Sequence, residues 1–300
     1  MMRIGDAGRL LLLSAIWGSS FLLIEIGLED LVPWQIVAGR LLSGAATLLI
    51  LLRLRGERLP SDRATWKALA VMAIVSNIIP FALITWGQET ITSSLAAILN
   101  STTPLFTAGI AAAVVPGERL TGMRSTGILI GFAGVGVIVG FDVEGGDVAG
   151  ELAVVLASLS YALGFVFAKR NLTGRRGSPL ALPAGQLTLG ALVALSPAGA
   201  ATAGTSEPPG AGAVIAVLAL GAIGTGLAYV LYYRLVNDVG PTTASFVTYL
   251  IPVFGVALGW LFLDEPIHLN TLVGAVLVIG GITIAERRAR EPVASEIHST

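Results

Sequence analysis

The chain has 300 residues, of which 54% are hydrophobic and 12% charged, and its formal net charge is −1. Soluble domains carry about 25% charged residues to cover their surface, so this composition excludes a water-soluble globular class and gives no basis for a nucleic-acid partner. Cysteine is absent, which excludes a disulfide frame, a thiolate nucleophile and a Cys-based metal site.

A helix crossing the hydrocarbon of a bilayer needs about 20 mostly apolar residues. Ten such stretches follow one another, at 9–28, 33–52, 66–86, 92–115, 121–140, 150–168, 179–198, 211–233, 241–263 and 269–285. The first follows Arg3 and Arg9 like a signal peptide, but it runs on to Glu29-Asp30 with no small-residue cleavage site, so it is expected to be retained. The seventh is the weakest, rich in Ala and Gly with Pro183 near its start. Basic linkers at 53–65 and 169–178 join the second stretch to the third and the sixth to the seventh, and no loop has room for a separate soluble domain. The expected fold is an all-α membrane protein of ten transmembrane helices.

The charges sort by side. With the N-terminus in the cytoplasm, 17 of the 18 Lys and Arg fall at cytoplasmic ends and loops, and the last, Arg40, lies inside the second stretch. The opposite loops carry acids instead, among them Glu29, Asp30, Glu89, Asp264 and Glu265. This positive-inside pattern predicts an even number of spans with both termini cytoplasmic. The expected location is a bacterial plasma (inner) membrane.

An internal repeat is legible. Ser94-Leu95-Ala96-Ala97, Pro104-Leu105-Phe106, Gly117-Glu118-Arg119-Leu120 and Gly127 are answered by Thr242-Thr243-Ala244-Ser245, Pro252-Val253-Phe254, Asp264-Glu265-Pro266-Ile267 and Gly274. Proline to glutamate is 14 residues in one copy and 13 in the other, and glutamate to glycine is nine in both. Trp17-Gly18 pairs more faintly with Tyr161-Ala162. Five spans per copy is an odd number, so the second copy must enter the membrane inverted, as in secondary carriers whose substrate site lies near mid-membrane. The expected division is 1–146 and 147–290, with 291–300 a cytoplasmic tail.

Trp17-Gly18-Ser19-Ser20-Phe21, Pro33, Arg40 and the duplicated proline–glutamate–glycine blocks resemble the drug/metabolite transporter superfamily, and within it the EamA-type ten-helix exporters, over about residues 10–285. The resemblance implies export of a small metabolite, often an amino acid. It also implies a central cavity surrounded by helices one, three, four, six, eight and nine, with five and ten outside it. The second block has Pro266 where the first has Arg119, as an extracellular position requires.

Polar side chains inside lipid are costly and face the bundle interior. Ser20, Asn77, Asn100, Thr103 and Thr243 are therefore candidate substrate contacts, each with plain helix–helix hydrogen bonding as its alternative; Ser101, Thr102, Ser160, Ser245 and Thr248 are read the same way. The aromatic candidates are Trp17, Trp86, Tyr161, Tyr229 and Tyr249; Trp86, near a helix end, equally suits an interfacial belt. Pro80, Pro104, Gly224 and Pro252 are candidate hinges, or static kinks satisfied by neighbours. Arg40 is expected to pair with Glu25 or Glu29 rather than to bind a substrate carboxylate. Gly127 and Gly131 form a GxxxG, which serves either helix dimerisation or packing within one bundle.

No Asp or Glu lies at mid-span, the usual place of a proton relay, and both histidines lie in a loop or tail. No metal and no cofactor are expected. The expected function is a non-enzymatic secondary transporter that exports small amphipathic metabolites, foremost amino acids with aromatic or apolar side chains, by alternating access through uniport or exchange. A proton-coupled drug or metabolite exporter is the alternative, and an intramembrane enzyme or a scaffold the rival class. The partners are a small-molecule substrate and the lipid bilayer, with a monomer or weak homodimer expected.

Overall fold

The computed structural model describes residues 4–115, 121–140, 147–172, 178–202, 208–240 and 244–287. Among the described residues ten helices follow in chain order: α1 (Ile4–Leu28), α2 (Pro33–Leu54), α3 (Arg63–Gly87), α4 (Ser93–Val114), α5 (Gly122–Gly140), α6 (Val148–Asn171), α7 (Ala181–Thr202), α8 (Ala211–Val239), α9 (Val247–Phe262) and α10 (Leu269–Arg287). Seven are long and apolar enough to cross a membrane, and α5, α9 and α10 contain the three shorter apolar helices. This is an all-α membrane protein.

Local chemistry sets the helix ends. Pro33 opens α2, where its missing N–H costs nothing. Asp62, Thr92 and Asp147 accept from the backbone N–H groups of Thr65, Leu95 and Ala149 at 2.8, 3.3 and 3.0 Å, satisfying donors that a helix start leaves orphaned. Gly56 and Gly240 follow the ends of α2 and α8 with φ of 65° and 81°, a left-handed conformation that suits glycine.

The two halves interlock. α1 packs against α8 and α9 of the second half, and α6 against α3 and α4 of the first, while α2 lies on α7 and α5 on α10. Polar ties join neighbouring segments at both membrane faces. Arg9 pairs with Asp6 and Asp238, and Ser178 donates to Glu57, on the face of the N-terminus. On the opposite face, the Gly210 N–H donates to Asp30 at 2.9 Å.

The α5–α10 seam is built on glycine. A Cβ on Gly134 would meet the Gly274 carbonyl oxygen at 2.7 Å, and Gly127 and Gly281 face each other's backbone as closely. The GxxxG of Gly127 and Gly131 is thus used inside the bundle, with Gly131 also receiving the Leu105 side chain.

Two spans contain π-helical turns. Within α3, Ile74–Ile78 forms a π-helical turn, and within α8 Ala222–Leu227 forms another. They are equivalent positions of the repeat, because 148 residues separate Asn77 from Thr225, the same interval as Pro104 from Pro252. π turns leave backbone groups to be satisfied from outside. The Ser160 hydroxyl donates to the Val75 carbonyl at 2.7 Å, and the Thr225 hydroxyl to Leu220 at 3.1 Å.

Candidate functional site

Arg40 lies 8% exposed in α2. Glycines bring α8 against it: Gly221 faces the Arg40 carbonyl, and a Cβ on Gly226 would meet Thr47 at 2.8 Å. The close approach lets Arg40 Nε donate to Thr225 Oγ1, in the π turn of α8, at 3.0 Å. The guanidinium also stacks over the Phe81 ring of α3, its carbon 3.7 Å from the ring centroid, a cation–π geometry. The expected ion pair with Glu25 or Glu29 does not form. Glu25 instead accepts from Gln88 at 3.2 Å, and Gln88 also donates to the Phe21 carbonyl at 3.0 Å.

The same construction occurs once more with the halves exchanged. Pro33 precedes Gly39-Arg40-Leu41 as Pro179 precedes Gly185-Gln186-Leu187, with seven residues from Pro33 to Arg40 and from Pro179 to Gln186. Gln186 of α7 donates through Nε2 to Asn77 Oδ1 in the π turn of α3. Asn77 is fully buried. Each π turn therefore presents a polar side chain to the second helix of the opposite repeat.

Aromatic rings surround this centre. Tyr161 of α6 meets Phe81 edge-on at 6.4 Å, and Tyr229 of α8 stacks with Tyr233 at the same distance. Tyr161 and Tyr229 are both electrostatic neighbours of Arg40. Tyr229 also stands beside the Asn77 amide, whose Nδ2 nevertheless has no well-formed hydrogen bond. Trp17 extends the cluster through Tyr232, with ring centroids 5.6 Å apart.

Other expected contacts lie elsewhere. The buried Ser20 bonds back to the Ile16 carbonyl at 3.5 Å and sits beside Gly224. Thr103 bonds back to the Asn100 carbonyl at 2.9 Å, and Asn100 Oδ1 is buried without a partner. Tyr249 packs with Leu105 and Val278, toward α10 rather than toward Arg40. Trp86 is 46% exposed, on the helical face of Ile79, which is 39% exposed, so it points to the surface. Thr243 lies outside the described residues.

The candidate hinges differ between the halves. Pro80 lies two residues beyond the π turn of α3, and Gly224 lies within that of α8. Pro104 begins a new helical segment after a turn at Ser101-Thr102, whereas Pro252 sits inside the continuous α9. The carbonyls freed at the α4 break are taken by hydroxyls: Thr102 donates to Leu99 at 2.7 Å, and Ser158 of α6 to Asn100 at 3.2 Å.

Toward the opposite face, Glu265 is buried and accepts from the N–H groups of Ser93 and Ser94 at 2.8 and 2.9 Å and from the Ser94 hydroxyl. Asp264, at a left-handed φ of 52°, turns the chain to place it. A carboxylate of the second repeat thus caps α4 of the first, where the helix dipole favours an anion. A cavity of about 240 Å³ opens beside it, lined by Ser94, Glu151 and His268 among others. Among the described residues, no group of three His, Asp or Glu converges as a metal site would require.

Phe81, Gln186 and Thr225 are not among the residues expected from sequence, and Arg40 takes a partner other than the expected carboxylate. The repeat was the usable signal, since it sets Thr225 against Asn77 and Gln186 against Arg40.

Several proteins similar to this chain are transporters by name. The EamA-like transporter family matches the chain twice, over residues 8–140 and 148–286. YoaV of Bacillus subtilis, called an uncharacterized transporter, is 26% identical over 270 residues, covering 89% of this chain and 91% of its own. YedA of Escherichia coli K12, called an uncharacterized inner membrane transporter, is 29% identical over 84% of this chain and 81% of its own. A solved crystal structure at 19% identity superposes over 97% of this chain and 100% of its own with a TM-score of 0.67, which shows the fold. With both repeats matched, the chain belongs to the EamA-like transporter family and is a multi-pass membrane transporter.

Proposed function

We propose that this protein exports small amphipathic metabolites by alternating access, with amino acids of aromatic or apolar side chain as the leading substrates, by uniport or exchange. The observation that carries the reading is the pair of equivalent π turns in α3 and α8, whose polar residues meet the opposite repeat. Irregular backbone is tolerated at membrane depth only inside protein or along a water-filled path, and π turns recur at functional sites. The unequal treatment of Pro104 and Pro252 fits the same reading. Inverted repeats alternate access by holding different conformations in one state. The rings of Trp17, Tyr161 and Tyr229 supply an apolar, polarizable wall. The moving bodies are taken to divide near 146/147, in a bacterial inner membrane with both termini cytoplasmic.

Reconstituted vesicles test this directly. Preloaded phenylalanine or leucine should accelerate uptake of the labelled compound with no ion gradient imposed. Accumulation that requires a proton gradient would move the assignment to the proton-coupled exporter. Failure of every amino acid to exchange would overturn the substrate class. Because the chain has no cysteine, single cysteines at Ser178 and Thr92 report orientation. An impermeant thiol reagent added to intact cells should label the second and spare the first.

A further inference from the structure

We propose that Arg40 and Asn77 form an anion subsite at the centre of the bundle, so that the transported molecule carries a carboxylate head on an apolar or aromatic body. This rests on the transport reading and narrows it.

A guanidinium held away from water is costly unless an anion answers it. Arg40 has five N–H donors, and one of them, on Nε, is used on Thr225. Among the described residues no carboxylate pairs with it: the ion pairs belong to Arg9, and Glu25 is engaged by Gln88. The Nε bond and the Phe81 ring fix the plane of the guanidinium. Tyr161 and Tyr229 are electrostatic neighbours of the guanidinium, and Tyr161 meets the same Phe81 ring edge-on.

A second donor lies beside Tyr229. Asn77, fully buried, gives its oxygen to Gln186 and leaves Nδ2 without a well-formed bond beside Tyr229. The groups left to serve a ligand there are donors, apart from the hydroxyls, which adapt to either role. A planar fork with an adjacent amide donor matches a carboxylate. An amine or a neutral amide would leave the guanidinium uncompensated. The repeat limits the charge as well, because the counterpart of Arg40 is the neutral Gln186. One fixed cation fits one anionic head.

The test compares carboxylate and carboxamide forms of one body, phenylalanine with phenylalaninamide and phenylacetate with phenylacetamide, by counterflow and by ligand-induced thermal stabilisation of the purified protein. The wild type should prefer each carboxylate by about 10- to 100-fold, the value of a charge-assisted hydrogen bond to a buried partner. Arg40→Gln should abolish that preference, and Arg40→Lys, which keeps the charge but not the fork, should retain part of it. Should Arg40→Gln fail to fold, the wild-type comparison still decides. Equal handling of carboxylate and carboxamide, with exchange intact, overturns the subsite and leaves the transport reading standing. No exchange or stabilisation by any member overturns both.

Discussion

Arg40 and Gln186 occupy the same place in the two repeats, and each hydrogen-bonds to the π turn of the other half, Arg40 to Thr225 and Gln186 to Asn77. The arrangement ties the second helix of each repeat to the third helix of its counterpart. Any change of access that shears these helices must break or re-form both ties. Only one tie carries charge, so the two are not energetically equal.

Thr225 should therefore be the more sensitive anchor. Thr225→Val keeps the shape but removes the acceptor of Arg40 Nε, a bond to a charged group worth about 1.5–3 kcal/mol. The half-saturating substrate concentration in counterflow should rise at least tenfold. Folded protein should also lose stability, because Thr225→Val leaves the Leu220 carbonyl as well as Arg40 Nε without its partner, whereas Thr225→Ser, which keeps the hydroxyl, should restore both readouts.

Ser160 has a structural task, and its loss should be read as stability. Ser160→Ala leaves the Val75 carbonyl of the α3 π turn unpaired, at a cost of about 1–3 kcal/mol. Denaturation of the detergent-solubilised protein should show this loss. Ser160→Thr, which retains a hydroxyl, should recover most of it.

Glu265 should hold the start of α4. Glu265→Ala removes the acceptor of two backbone N–H groups and one hydroxyl, where loss of a single cap costs about 0.5–2 kcal/mol. Amide exchange at Ser93 and Ser94 should accelerate, while exchange at the centre of α2 should not change.

The glycines of α5 should divide sharply. Gly134→Leu drives a side chain into the Gly274 backbone, whereas nothing lies within 4 Å of a Cβ on Gly136. The first should abolish folded protein on size-exclusion chromatography in detergent. Gly136→Leu should behave as wild type.

The ten helices were legible because lipid imposes a length and a polarity on each span, and boundaries such as Ser93–Val114 fall within a residue or two of the apolar run at 92–115. The turn inside that helix was not, since hydropathy does not register the Ser101 and Thr102 hydroxyls donating back to the Ile98 and Leu99 carbonyls. Nor did it distinguish a π turn from an α turn: the sequence Ile74–Ile78 is apolar enough for either. Arg40 was located but mispaired. Its partner is chosen by the close packing of Gly221 and Gly226 against α2, a tertiary fact that no spacing within α2 contains. Tyr161 and Tyr229 were found because buried polar rings are few, while the same rule drew in Trp86 and Tyr249, whose faces point elsewhere.

The glycine seam between α5 and α10 obeys the symmetry of the repeat. Gly127 meets Gly281 and Gly134 meets Gly274, and the repeat equates Gly127 with Gly274 and Gly134 with Gly281. Each contact is thus the mirror bookmark of the other, the reciprocity that defines an isologous two-fold interface between identical subunits. Equivalent substitutions on the two sides of the seam, at Gly127 and Gly274 or at Gly134 and Gly281, therefore meet the partner helix in the same way.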